Sequence, residues 1–192
     1  MRSPLMSWYV FDSMGTTFLT DFAGGNLLKL TGNSKSVFAS GMAGPAGIAY
    51  DAMNTLFYVS NYLNGTLSVV SGTGNVSTFA VGLYGPMGVA LLSPGNLYVA
   101  NSSNGTIAKV VQGSGVSTFA SGFGMPVGVI LDGANNLYVS DKARNAIFVI
   151  SNTGAVLPFA EVASPFGIAF DGDGNLFVSD TMNKQIKEIV LR

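Results

Sequence analysis

Short apolar runs alternate with turn residues along the whole chain, and this pattern returns about every forty residues. Residues 165–180 read P-F-G-I-A-F-D-G-D-G-N-L-F-V-S-D, and residues 126–141 read P-V-G-V-I-L-D-G-A-N-N-L-Y-V-S-D. Looser copies begin at Pro86 and Pro45. Self-similarity at a fixed period indicates a repeat architecture, in which each copy folds into one structural unit.

Four markers keep the same phase over the chain, with steps of 39 to 41 residues. The prolines are Pro4, Pro45, Pro86, Pro126 and Pro165. The polar residues that close the second apolar run are Asp21, Asn61, Asn101, Asp141 and Asp180. The aliphatic residues six positions later are Leu27, Leu67, Ile107, Ile147 and Ile186. The F-A pairs begin at Phe38, Phe79, Phe119 and Phe159.

Each period contains four apolar runs, which in the third copy are residues 88–92, 96–100, 106–111 and 116–120. Val, Ile, Tyr, Phe and Thr fill these runs, and such residues suit half-buried positions in a pleated sheet. No window shows a sustained period of 3.6, so no long helix is predicted. Asn64-Gly65 and Asn104-Gly105 predict type I′ hairpins, in which both residues have positive φ.

Four short antiparallel strands in every forty residues are typical of a β-propeller blade. We therefore predict an all-β single domain over 1–192, with blades at approximately 1–40, 41–82, 83–122, 123–160 and 161–192. The fifth copy stops after its third strand, so the last blade is expected to lack its outer strand. This makes the chain a predicted part of a six-bladed or larger ring, or an open ring completed by another chain. A β-solenoid is the alternative, but its repeats are shorter.

The pattern P-x-G-[IV]-A-x-D, followed by G-N-L-[YF]-V-[SA]-[DN], resembles the NHL-repeat family of propellers. It is also similar to the wider superfamily of gluconolactonase-like and virginiamycin B lyase-like proteins. The resemblance covers nearly the whole chain and implies the propeller fold. It also implies an exported bacterial protein in an extracellular or periplasmic location, although residues 1–4 lack the layout of a signal peptide. One propeller scaffold carries many activities, so the fold does not identify the function.

The composition narrows the chemistry. The net charge is −1 and only 10% of residues are charged, so nucleic-acid binding is not expected. No apolar run reaches membrane-spanning length, so membrane insertion is not expected either. The chain has no cysteine and no histidine, so it lacks thiol chemistry, the commonest general base near neutral pH and the commonest zinc ligand. Between Ala52 and Leu131 only Lys109 is charged, which leaves the middle copies a neutral surface.

The resemblance to gluconolactonase-like proteins implies metal ligands at the x of P-x-G. The matching positions here are Ala46, Met87, Val127 and Phe166, with Leu5 in the first copy. None offers the oxygen ligand that a hard cation requires, so no metal or cofactor is expected in the channel. Asp171 and Asp173 resemble the start of a calcium loop, but a tight turn is the favoured interpretation. No residue is assigned a catalytic role.

Loops before each first strand and after each second strand project on one side of a propeller, and they carry large apolar residues. The binding candidates on this loop face and at the channel mouth are Tyr62, Tyr84, Met87, Phe123, Met125, Val127, Phe166 and Arg144. The alternative is that the aromatic residues pack between blades. We expect a non-catalytic binding or scaffold module for a protein or carbohydrate ligand. The alternative function is a divergent lactonase or lyase that uses channel aspartates and a divalent metal.

Overall fold

A computed structural model of the chain describes residues 8–190; Pro4 and Leu5 lie outside the described residues. The described residues form 19 strands in five antiparallel sheets. Four sheets have four strands and the last has three, so the predicted all-β propeller with an incomplete final blade is confirmed. Residues 8–190 contain no helix that is long and apolar enough to cross a membrane.

Blade 1 contains β1 (Tyr9–Phe11), β2 (Thr17–Asp21), β3 (Asn26–Thr31) and β4 (Ser34–Ala39). Blade 2 contains β5 (Pro45–Asp51), β6 (Leu56–Asn61), β7 (Thr66–Ser71) and β8 (Val76–Ala80). Blade 3 contains β9 (Pro86–Ser93), β10 (Asn96–Asn101), β11 (Thr106–Val111) and β12 (Gly115–Ser121). Blade 4 contains β13 (Pro126–Leu131), β14 (Leu137–Asp141), β15 (Ala146–Ile150) and β16 (Val156–Glu161). Blade 5 contains β17 (Pro165–Phe170), β18 (Leu176–Asp180) and β19 (Gln185–Ile189).

Each blade is a meander, and the two faces of blades 2, 3 and 4 pack against the blades on either side. Because side chains alternate along a strand, one face of blade 3 presents Leu97 and Val99 to blade 2. The other face presents Tyr98 and Ile107 to blade 4. Every blade-to-blade interface is therefore a small apolar core of its own.

The F-A markers have a packing role inside each blade. The phenylalanine on the outer strand meets an aromatic residue on the second strand, as Phe119 meets Tyr98 with ring centroids 4.5 Å apart. The same pair recurs as Phe38 with Phe18, Phe79 with Tyr58, and Phe159 with Tyr138. Aromatic pairs of this kind contribute roughly 0.5–1.5 kcal/mol beyond their buried area.

The innermost strands approach closely because the third residue of P-x-G is glycine. A Cβ added at Gly128 would lie 2.6 Å from the carbonyl oxygen of Phe166 in blade 5. The same carbonyl accepts a hydrogen bond from Ser140 Oγ at 2.7 Å, and Ser140 Oγ accepts one from Gly128 N at 2.8 Å. Thr20 and Ser60 donate to the carbonyls of Ala46 and Met87 in the same way. These hydroxyl bonds join blade 1 to blade 2, blade 2 to blade 3 and blade 4 to blade 5, whereas blade 3 has Ala100 at this position.

Blade 1 departs from this plan, and the phase expected from Pro4 is wrong by two residues. Tyr9 pairs with Leu19 as Ile48 pairs with Val59, which places Trp8 where the other blades have glycine. Trp8 N donates to Thr20 Oγ1 at 3.0 Å, as the glycines do in their blades. The indole packs against Phe166 with centroids 5.9 Å apart, so the first and last blades meet near the axis.

The Asn-Gly hairpins differ from the predicted type I′ turns, because only the glycine has positive φ. Gly105 N donates to Asn101 O at 3.1 Å, which closes the four-residue loop 102–105 between β10 and β11. Gly105 O in turn accepts from Phe123 N at 3.1 Å in the link to blade 4. The turn is therefore tied to the next blade, and the left-handed backbone at its last residue makes this possible.

Aspartates close the turns between first and second strands. Asp171 Oδ1 accepts from Asn175 N at 2.7 Å and Asp173 N at 3.0 Å, and Oδ2 accepts from Asn175 Nδ2 at 3.0 Å. The hydrogen bond from the Asn175 side chain, together with those from the turn's backbone, holds the pKa of Asp171 below its ordinary value. Asp132 makes the same contacts in blade 4.

We predict opposite effects for two changes at equivalent turn positions. Gly105→Ala should lower the free energy of unfolding by about 1–3 kcal/mol, because the added Cβ would overlap the Phe123 carbonyl at positive φ. Lys184→Gly should raise it by up to about 1 kcal/mol, because Lys184 is exposed and has a φ of 55°. Denaturant unfolding of both variants measures the two changes. Equal effects of the same sign would contradict this account of the turn.

We also predict acid sensitivity at the aspartate turns. The pKa of Asp171 is ordinary in the unfolded chain, about 3.9, and lower in the folded protein. Its contribution to stability is therefore complete above that value and is lost as the pH falls through the folded pKa. Thermal midpoints measured from pH 6 to pH 2 should fall less below about pH 4 for Asp171→Asn than for the wild-type chain. Parallel curves would show that the carboxylate does not stabilise the turn.

Candidate functional site

The loop face is built from two sets of loops that hydrogen-bond to each other. The loop after each second strand bonds to the link that enters its own blade: Tyr62 N donates to Gly44 O at 3.0 Å. The link that leaves the blade bonds back to the same loop: Leu83 N donates to Gly65 O at 2.9 Å. Side chains on these loops therefore stand on a backbone that is fixed at both ends.

The polar residue that ends each second strand strengthens this anchoring. In blade 4, Asp141 is fully buried, and its two oxygens accept from Gly124 N at 2.7 Å and Met125 N at 2.9 Å. In blade 3, Asn101 Oδ1 accepts from Tyr84 N at 3.1 Å. The periodic Asp and Asn set therefore holds loops in place.

One column of the loop residues is buried between blades, as the alternative interpretation expected. Its members are Met42, Leu83, Phe123 and Val162. Met87 and Val127 are also buried. The backbone carbonyl of Met87 accepts a hydrogen bond from Ser60 Oγ in blade 2, and that of Val127 lies close to Gly88 in blade 3. Among the candidates from the sequence, Phe123, Met87 and Val127 thus position the face from below.

The apolar residues of the loop face cluster in blades 1 to 3, and one further exposed residue, Met182, lies apart from them in blade 5. Tyr84 is 58% exposed and Leu63 is 67% exposed. The Tyr62 and Phe22 rings lie side by side with centroids 6.0 Å apart and planes inclined at 54°. Leu63 and Phe22 both border Gly44. Tyr62 also borders Gly85, the residue after Tyr84. We call Phe22, Tyr62, Leu63 and Tyr84 the loop-face patch.

Blade 4 contributes basic groups to the same face. Lys142 Nζ lies 5.9 Å from the centroid of the Phe166 ring, at the mouth of the channel beside Trp8. Arg144 is half exposed, lies over Phe148, and approaches the buried Asp141 carboxylate at 3.9 Å. Met125 is partly buried next to these groups. The loop face is therefore apolar on blades 1 to 3 and basic on blade 4.

The sequence did not single out Phe22 or Trp8. Phe22 follows Asp21 in the same repeat column as Tyr62, so the column itself was a signal that could have found it. Trp8 gave no such signal, because it replaces a glycine and its role depends on the opposite end of the ring.

The candidate metal ligands do not form a site of several carboxylates. Within residues 8–190 no group of three or more Asp, Glu, His or Cys side chains is placed to hold a metal ion. Asp171 uses both oxygens in its own turn, as described above. The backbone N–H of Asp173 donates to Asp171 Oδ1 within this turn.

An apolar cleft separates the faces of blades 1 and 5 that lack a neighbouring blade. The cavity of about 690 Å³ includes the central channel, which is lined by inner-strand residues of blades 2 to 4 such as Ile48, Ala90 and Ile130. It continues past Trp8 and Phe166 outward to Tyr9, Phe177 and Ile186. Tyr9 and Ile186 are each 66% exposed. The ring is therefore in contact near the axis and open at its rim.

Comparison with known proteins shows the fold. No protein-family model and no curated protein matches the chain. A streptogramin B lyase structure matches with a TM-score of 0.78 and 16% identity, over 96% of this chain and 68% of the other. The structure of catalytically inactive virginiamycin B lyase from Staphylococcus aureus with quinupristin matches with a TM-score of 0.73 and 17% identity, over 94% of this chain and 68% of the other. A structure of a nidogen/laminin complex matches with a TM-score of 0.83 and 20% identity, over 94% of this chain and 73% of the other.

At these identities the likeness concerns the architecture. The predicted resemblance to virginiamycin B lyase-like propellers is confirmed at that level. The chain therefore has the β-propeller fold shared with virginiamycin B lyase and with the nidogen propeller.

Proposed function

We propose that this chain is a binding module whose loop face engages a protein. The observation that carries the proposal is the loop-face patch: exposed Tyr84 and Leu63 stand on loops whose backbone is hydrogen-bonded at both ends. Aromatic residues held on rigid loops bury large area on binding at little conformational cost. Exposed apolar patches rimmed by polar groups mark interaction sites.

The charge distribution specifies the partner further. Three members of the patch, Tyr62, Leu63 and Tyr84, lie in the stretch between Ala52 and Leu131, in which only Lys109 is charged. Lys142 and Arg144 lie beside the patch on blade 4. A protein surface with an apolar centre and an acidic flank complements this face, because opposite charges at the rim guide association.

The two kinds of structural neighbour differ in what they support. The nidogen structure is a complex with laminin, which gives a propeller of this architecture a protein partner. The inactive virginiamycin B lyase has one histidine replaced by alanine, and the present chain has no histidine. The protein-binding interpretation is therefore the better supported of the two. A metal-dependent enzyme using channel aspartates, a carbohydrate ligand and an exported location stay predictions.

We predict that Tyr84→Ala combined with Leu63→Ala weakens partner binding at least tenfold, because central aromatic contacts commonly contribute about 2 kcal/mol or more. A photo-crosslinking phenylalanine analogue placed at position 84 should capture the partner. The matched control is position 53, because Met53 is 82% exposed and lies at the opposite face, in the turn between β5 and β6. Capture is measured by mass spectrometry of the crosslinked product.

Thermal stability separates binding from folding in this experiment. Tyr84 and Leu63 are exposed, so the double variant should keep the wild-type thermal midpoint within a few degrees. Equal crosslinking from positions 84 and 53, or unchanged affinity of the double variant for the captured protein, would contradict a binding role for the loop-face patch.

A further inference from the structure

Two exposed apolar residues on the link between blades 2 and 3 depart from the repeat. Tyr84 stands two positions before Pro86, where the links that enter blades 2, 4 and 5 have Ala43, Gly124 and Ala163. Val81 directly follows the alanine of the F-A pair, a position held in the other blades by Ser40, Ser121 and Glu161. Tyr84 is 58% exposed and Val81 is 64% exposed. Neither the repeat nor the packing of the blades explains these two side chains.

Both residues line one groove between blades 2 and 3. The groove has a volume of about 560 Å³. This lies within the range of roughly 300–1,000 Å³ that is typical of sites for small ligands. The link supplies Val81 and Tyr84, and blade 3 supplies Asn104, Thr106 and Thr118. The groove therefore has an apolar side and a side of amide and hydroxyl groups.

The polar side has hydrogen-bonding groups to spare. Asn104 Oδ1 accepts from Thr106 Oγ1 at 2.8 Å, and Thr106 Oγ1 accepts from Asn101 Nδ2 at 3.1 Å. These bonds orient Asn104 and leave its Nδ2 group without a partner among residues 8–190. Thr118 is exposed, and its hydroxyl also bonds to no other residue of that range. A ligand thus meets two N–H donors of the amide and a hydroxyl that both donates and accepts.

The lining carries no charge. Among the residues that the structure describes, those around the groove include no Asp, Glu, Lys or Arg. Lys109 lies between Ala108 and Val110 on β11, and these two neighbours face blade 2. Because side chains alternate along a strand, Lys109 points to the other face of the sheet. A carboxylate, phosphate or ammonium group on a ligand would find no opposite charge in the groove.

The base of the groove is the face of a paired sheet. Ala108 of β11, which is 1% exposed, lies opposite Thr118 of β12. A ligand therefore meets side chains there, and not the unpaired backbone groups that an added peptide strand requires.

We propose that the groove between blades 2 and 3 binds a neutral oligosaccharide. A pyranose ring has C–H groups on its faces and hydroxyls around its edge. The C–H face fits the Tyr84 ring and Val81, and the hydroxyls fit the amide and hydroxyl groups of blade 3. Uncharged partners satisfy sugar hydroxyls without the cost of taking a charge out of water. The proposal does not rest on protein binding by the loop-face patch, with which the groove shares only Tyr84.

Blade 2 provides a control within the same chain, because it carries the same polar residues without the aromatic one. Asn64 Oδ1 accepts from Thr66 Oγ1 at 2.9 Å, as its counterpart in blade 3 does. Thr78 is exposed on the outer strand at the position of Thr118. Ala43 takes the place of Tyr84. Substitutions in blade 2 therefore remove equivalent contacts without touching the groove.

The test titrates the whole chain with cellotetraose, mannotetraose and chitotetraose by isothermal titration calorimetry. We expect at least one probe to bind, with an affinity that changes less than about twofold between about 20 and 500 mM salt, because neither side is charged. Tyr84→Ala should weaken binding at least about tenfold, and Asn104→Ala and Thr118→Val about threefold to tenfold each. The matched changes Asn64→Ala and Thr78→Val should leave the affinity unchanged.

The sugar site and the loop-face patch respond to different substitutions. Leu63→Ala should weaken binding of a protein partner and leave the oligosaccharide unaffected, because Leu63 belongs to the patch and lies outside the groove. Thr118→Val should have the reverse effect. The two proposals therefore fail independently.

Three results would overturn the proposal. The first is absence of binding of all three probes up to about 10 mM. The second is equal weakening by the matched substitutions in blades 2 and 3. The third is loss of a protein partner's affinity in Thr118→Val with no change for the probes, which would make the groove part of a protein interface.

Discussion

The close approach of the innermost strands is the constraint on which this propeller depends. A side chain at Gly88 would meet the Val127 carbonyl oxygen at 2.5 Å, and one at Gly128 would meet the Phe166 carbonyl oxygen at 2.6 Å. Glycine therefore brings the strands together at the axis, and serine or threonine on the next strand bonds the facing carbonyl. Because the strands are close at the axis, the aromatic and aliphatic faces farther out are forced into contact and bury their area.

The loop face takes its rigidity from the same arrangement. The links between blades must turn from the outer strand of one blade to the axis of the next, and the buried Asp141 and Asn101 hold them by accepting their N–H groups. On the links that enter blades 2 and 3, Met42 and Leu83 fill the spaces between blades. What remains free to vary is the side chain beyond each anchor, such as Tyr84 and Leu63, and a fixed backbone with variable tips is what a binding surface needs.

The sequence was sufficient for the fold because the fold repeats, and each marker recurs four or five times along the chain. It was insufficient for the site, because burial within a link depends on which way each side chain points relative to the blades. Phe123 aligns with Leu83 in the column that is buried between blades, whereas Tyr84 stands one position further along its link and is exposed. The first copy failed for a related reason: Trp8 replaces the glycine that defines the phase, and only strand pairing reveals it. The Asn-Gly turns failed because the loop closes over four residues instead of two.

The two ends of the ring depart from the repeat at the same place, which makes the cleft a feature of both. Trp8 fills the axis where other blades have glycine, and Gly167, its counterpart in blade 5, faces no carbonyl of a following blade. Ser179 keeps the bond of 3.3 Å to Gly167 O in its own blade, which Ser60 also makes at 3.4 Å, but it lacks the bond to the next blade that Ser60 makes to Met87 O. Yet Phe177 and Ile186 remain as apolar as their buried equivalents. Glu188 lies on the same face of β19 as Ile186, and Lys187 lies on the other face. Charged residues of this kind protect a strand edge from pairing, so this surface combines the apolar residues of a blade interface with the charges of an exposed edge.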